Sequence, residues 1–151
     1  ITDCTTHQIL AYEITDHTTG DATGALHLIP WLLKRRKNIW RLLGDRAYDV
    51  KEIFNLLASH NINPGIRLKA NASTKARGST SRAKEARYVH QYGYDSWKQY
   101  RKYGLRQAVE QSNAVFKNHF LECVTARLSG SLAAEFAQKI AIFNWMMSVE
   151  R

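Results

Sequence analysis

The chain has 151 residues, enough for a buried core, and its 44% hydrophobic and 23% charged content is that of a globular protein rather than a disordered or fibrous one. No apolar run approaches the roughly 18 residues of a membrane span, so no membrane is expected. Cys4 and Cys123 are too few and too far apart in sequence for a zinc motif or a disulfide framework. The formal charge of +9 sits in one stretch: residues 67–106 hold eleven Lys and Arg against Glu85 and Asp95, and the rest of the chain has eleven bases and eleven acids.

In chain order, QILAYEIT, 8–15, is expected as a strand, with apolar Ile9, Ala11 and Ile14 among β-formers. The chain opens without a methionine, close to this strand, and reads as the later part of a longer protein or as a truncated product. HTTG, 17–20, is a turn. Asp21 can cap a helix running to about Lys37, with Leu26, Ile29 and Leu33 at helical spacing and a kink at Pro30. IWRLL, 39–43, suits a buried parallel strand, and it ends at GDRAYD. Asp49 begins D-V-K-E, a capping-box-like start to a helix over 50–59. NPGIRLK, 63–69, is the next strand, and NASTKARGSTSR, 71–82, is a loop without a large apolar side chain.

YVHQYGYDSWKQYRKYG, 88–104, interleaves basic and aromatic residues, with Asp95 as cap of a short helix. A helix over about 105–120 and a final amphipathic helix over 131–148 follow, the latter with Leu132, Phe136, Ile140, Phe143 and Met147 at core spacing. Strands alternating with helices argue for an α/β layer structure. A reduced, cytoplasmic setting is the default for a chain with so little cysteine.

Three carboxylates attract attention. Asp45 lies just past the carboxyl end of the buried strand, where ligands bind in open α/β sheets. Asp3 lies on or at the end of the first strand, and Glu110 is on the helix over 105–120. On that helix Tyr103, Arg106, Glu110 and Lys117 fall within roughly a 60° arc at about 100° per residue, beside a core stripe of Leu105, Val109, Phe116 and Phe120. Carboxylates suit hard cations such as Mg2+, and two such ions about 3.5–4 Å apart can activate a water or a 3′-hydroxyl for phosphoryl transfer. Taken singly, each residue also has a plain explanation. Asp45 suits a turn, Asp3 a surface acid, and Glu110 an i,i+4 partner of Arg106. The six histidines form no ligand pattern.

Together the residues carry more. Tyr103-x2-Arg106-x3-Glu110-x6-Lys117 fits, without a gap, the Y-x2-R-x3-E-x6-K signature of the DDE transposases of bacterial and archaeal insertion sequences. LLGDRAYD resembles the stretch bearing that family's second acid, ITDCTTHQILAYEIT the stretch around its first, and NASTKARG a loop that follows its next strand. The resemblance covers nearly the whole chain. It implies an α/β, ribonuclease H-like mixed sheet with flanking helices, as a single domain over 1–151 with a basic insert at about 69–103 before the catalytic helix.

It further implies that Asp3, Asp45 and Glu110 bind two Mg2+ or Mn2+ ions, and that Tyr103, Arg106 and Lys117 contact DNA near the scissile phosphate. The implied reaction cuts element ends by water attack and joins the freed 3′-hydroxyl to target DNA. The basic insert, with Lys75, Arg77 and Arg82, is expected to track DNA. Trp97 and Tyr94 either stack on a base exposed near the cut end or pack a small core within the insert. A homodimer around paired ends is implied for the full-length protein. The chain departs from the family in having only Ile1 and Thr2 before Asp3, where members carry an N-terminal DNA-binding region and a complete first strand. The alternatives are an inactive remnant, a nuclease that cleaves without joining, and a non-catalytic nucleic-acid-binding module using residues 67–106.

Overall fold

The computed structural model describes residues 1–16, 18–35, 38–120, 125–126 and 129–149. They fall into two compact units, 15–105 and 1–14 with 106–151.

The unit 15–105 is built around a parallel strand pair. β1 (Arg41–Gly44) and β2 (Asn63–Ile66) align Arg41 with Asn63 and Gly44 with Ile66. The helix α2 (Lys51–Ser59) connects them, as a parallel pair requires. Its Ile53, Phe54 and Leu57 recur on one face and are fully buried, each contributing about 1.5–3 kcal/mol of burial. α2 packs against β2, against α1 (Asp21–Arg35) and against α3 (Thr80–Tyr100). α1 runs through Pro30 and buries Ile29 and Leu32. Gly65 lets β1 and β2 approach closely, because a Cβ there would collide with the Leu43 side chain.

The expected mixed sheet is thus a two-stranded parallel sheet among the described residues. The strand expected over 8–15 contracts to a short hairpin. Thr2 bridges Ile9 in antiparallel fashion, and residues 12–16 are exposed and outside any strand. The loop expected over 71–82 ends sooner, because Ser79 caps α3 by accepting from the Arg82 amide at 3.3 Å.

α3 is two helical segments. Gly93 between them has φ 81° and ψ 165°, a conformation essentially reserved for glycine. The chain reverses there, and the second segment returns along the first. Glu85 meets Trp97 and Arg101, and Tyr88 meets Tyr100. At the centre the Glu85 carboxylate accepts from the Trp97 indole N–H and from Arg101 Nε, both at 2.8 Å. A second Arg101 nitrogen pairs with the other carboxylate oxygen, and Arg101 also reaches the Asn63 side chain at 3.3 Å. Both charged side chains are more than nine-tenths buried.

In the unit of 1–14 with 106–151, the hairpin rests on α4 (Gln107–Phe120) and α5 (Ser129–Val149). Ser112 of α4 donates to the His7 carbonyl at 3.1 Å. Asn144 of α5 accepts from the Ile9 amide at 2.8 Å and donates to the Ile9 carbonyl at 2.9 Å, taking the place of a neighbouring strand. Phe116 packs edge-on against Phe136 and Phe143 at 5.7 and 5.5 Å. Glu135 of α5 holds the Thr125 and Ala126 amides and pairs with Lys139 at 2.8 Å. These partners, Lys139 first, pull its carboxyl down to about 2.

Two outcomes follow for stability. Glu85→Gln leaves the Arg101 cation buried without its counter-charge, so urea denaturation should show a loss of about 3–5 kcal/mol. The Glu135 contacts favour the ionised form, so their contribution is complete above the unfolded carboxylate range and is lost as pH falls toward about 2. Melting curves should therefore place Glu135→Gln below wild type at neutral pH, with the gap closing between about pH 5 and pH 2.

Candidate active site and nucleic-acid interface

Asp45 owes its position to the strand before it. β1 ends at Gly44, and Asp45 follows at the carboxyl end of the parallel pair. Its Oδ1 accepts from the Ala47 amide at 2.8 Å, capping a 3-10 turn over Arg46–Tyr48, and the residue is exposed. Asp3 sits in the hairpin turn, where its Oδ1 accepts from the Thr5 and Thr6 amides at 2.8 and 3.0 Å, the local bonding that favours Asp in turns. Glu110 lies in the first turn of α4, where the helix dipole favours an acid. It pairs with Arg106 at 2.5 Å, and its side chain is 59% exposed.

Asp3 and Glu110 belong to one unit and Asp45 to the other. Among the described residues, no group of three or more His, Cys, Asp or Glu is gathered closely enough to hold a metal ion. The three carboxylates are suitable donors for Mg2+ or Mn2+.

The four-residue stripe also changes. Tyr103 and Arg106 lie in a 3-10 turn over Tyr103–Arg106, and only Glu110 and Lys117 are on α4. Gly104, a poor helix former, lies within that 3-10 turn. Tyr103 is 8% exposed, with its ring 5.4 Å from Trp97. Leu105, expected in the core, is 50% exposed, and α4 buries Ala108 and Ser112 instead. Lys117 is exposed.

The basic insert divides its cations between two uses. Lys75 and Arg77 are exposed. Arg82 is not offered outward: it makes a two-point contact with Asp49, Nε to Oδ1 at 2.6 Å and Nη2 to Oδ2 at 2.8 Å. Asp49 is buried and also accepts from the Lys69 amide at 2.8 Å. It therefore ties the insert to the strand pair and does not cap α2, whose first turn follows Val50 without a side-chain cap. Trp97 is fully buried with its N–H on Glu85, so of the two roles expected for it the structure displays the internal one. Tyr94 stacks beside it at 5.6 Å, with the Arg67 guanidinium 5.1 Å from the Tyr94 ring.

Sequence reasoning passed over Glu85 and read Asp49, the other site-shaping acid, as a helix cap. Glu85 had a visible signal, as one of two acids among eleven bases.

Residues 1–143 match the family model of the transposase DDE domain. The chain belongs to that family. No curated protein and no solved structure matches it. Among the described residues of this transposase domain, no helix is long and apolar enough to cross a membrane.

The split between internal and outward cations in the transposase domain can be measured. Arg82→Ala leaves Asp49 buried and unpaired and should lower stability by about 3 kcal/mol or more in denaturant titrations. Arg77→Ala should leave stability unchanged while weakening duplex DNA binding, with the salt slope reduced by about 1.

Proposed function

We propose that the chain is the catalytic portion of an insertion-sequence transposase that cleaves DNA strands with water and joins the freed 3′-hydroxyl to a second DNA. What supports the reading is the family match over residues 1–143. Asp45 at the carboxyl end of a parallel strand, where α/β sheets hold their ligands, is consistent with it. The β1–α2–β2 unit and its covering helices are read as part of a ribonuclease H-like fold, with both units belonging to one catalytic domain.

Asp3, Asp45 and Glu110 are the carboxylates assigned to the divalent ions of this chemistry, Mg2+ or Mn2+. Such ions, when bound, polarise the phosphoryl group and lower the pKa of an attacking water. Around them, the chain's own residues bind and orient DNA. Lys117 and the exposed insert residues Lys75 and Arg77 neutralise phosphates, while Arg106 holds Glu110 in place. Arg82, Trp97 and Tyr103 are assigned to the insert's own structure. A homodimer around paired ends belongs to the same reading.

The decisive comparison is wild type against Asp45→Asn, in calorimetric titration with Mn2+ and in a strand-transfer assay. The reading expects metal binding and joined product in wild type, and loss of both in the variant with duplex affinity retained. A folded wild type that binds duplex DNA but neither metal nor a second DNA end would make the chain a non-catalytic binding module.

A further inference from the structure

The helical hairpin formed by the two segments of α3 has one side built on Glu85, Trp97 and Arg101. It also carries four tyrosines; Tyr94 stacks beside Trp97, and of the other three two are left largely in water: Tyr92 is 55% and Tyr100 52% exposed. Their rings are nonetheless set against one another. Tyr100 lies flat on Tyr88, with centroids 4.8 Å and planes 11° apart, and Tyr92 joins Tyr88 at 4.8 Å and 50°. The Arg101 guanidinium sits over the Tyr100 ring at 4.7 Å. The run Arg101–Tyr100–Tyr88–Tyr92 therefore starts at a buried cation and ends at a ring more than half exposed. Its last member has Tyr88 as its only ring partner among the described residues.

An exposed aromatic run of this kind is suited to a flat partner. Charge narrows the partner further. On the hairpin, Lys84, Arg87, Lys98 and Lys102 are exposed, and the one exposed acid is Asp95. Lys84 precedes Tyr88 by four residues and Tyr88 precedes Tyr92 by four, so the cation and the two rings share a helix face. Planar faces in series, joined by a line of negative charge, describe single-stranded DNA. Duplex DNA does not meet this description, because its bases are already stacked on each other.

We infer that the Tyr88–Tyr92–Tyr100 face is a stacking platform for the unpaired bases of single-stranded DNA, with Tyr92 as its outermost, inclined ring and Lys84 holding the backbone. The inference rests on the DNA-processing reading and specifies the form of DNA that this one face of the insert takes. It does not depend on the carboxylates, so it can stand or fall separately from catalysis.

The test uses the full chain and two fluorescent probes, a single-stranded oligothymidine and a duplex of equal length, followed by anisotropy. Tyr92→Ala should lose about tenfold or more in affinity for the single strand, the scale of one base–aromatic stack. Its duplex affinity and melting temperature should match wild type, since the side chain is exposed. Tyr92→Phe should retain single-strand binding. A wild type that ignores the single strand, an unchanged affinity in Tyr92→Ala, or an equal loss on both probes overturns the platform. Tyrosine-dependent single-strand binding in a chain without strand transfer sustains the platform and counts against the transposase reading instead.

Discussion

The structure of the basic segment depends on one carboxylate, that of Glu85, taken out of water beside Arg101 and Trp97. Within α3 the other buried residues are alanines, Ala83 and Ala86. Alanine burial is too small to hold a chain reversal. The pair and the indole supply what apolar area does not, a contact that is favourable in one geometry only. Removing two charges from water is costly, and the cost is recovered only when both carboxylate oxygens and the guanidinium are fully bonded. That requirement fixes how the two segments of α3 lie against each other. The same requirement sets which side of the hairpin the tyrosines occupy.

Asp49 does for the insert's base what Glu85 does for its middle. Each uses a buried acid to consume one arginine, so the eleven cations of the segment are not a uniform charged surface. Two are structural, and the exposed ones are displayed on a frame that those two stiffen. A rigid array of charges loses less conformational freedom on meeting a polyanion than a floppy one, because the ordering has been done in folding. The positive field of such a surface also steers encounter with nucleic acid at low salt.

Much of the frame was legible in the sequence. IWRLL and NPGIRLK became the two parallel strands, and the helix expected over 50–59 is α2. The last helix fell where Phe136, Ile140 and Phe143 recur. The site was less legible, for identifiable reasons. Asp49 has the spacing of a helix cap, and only the tertiary position of Arg82, 33 residues away, shows that the carboxylate goes elsewhere. Tyr103 and Arg106 match a helical stripe by arithmetic, but they lie in a 3-10 turn ahead of α4, where the arithmetic of about 100° per residue does not hold. Residues 8–15 have strand composition, but among the described residues they pair only at Ile9, with Thr2. Asp3, Asp45 and Glu110 were singled out by family resemblance in local stretches of sequence, whereas the buried acids Asp49 and Glu85 are placed by packing.

Asn144 has a bearing on solubility. In the hairpin, the bonds between Asp3 and Gln8 and between Leu10 and Ile1 flank the Thr2–Ile9 pair, so the amide and carbonyl of Ile9 point outward, away from Thr2. An outward pair of this kind is the template by which one chain recruits a strand from another. The Asn144 carboxamide takes both groups, donor to acceptor and acceptor to donor, and leaves no vacancy at that residue. A helix side chain thus guards a sheet edge against self-association, without a proline, a bulge or a charge at the edge itself.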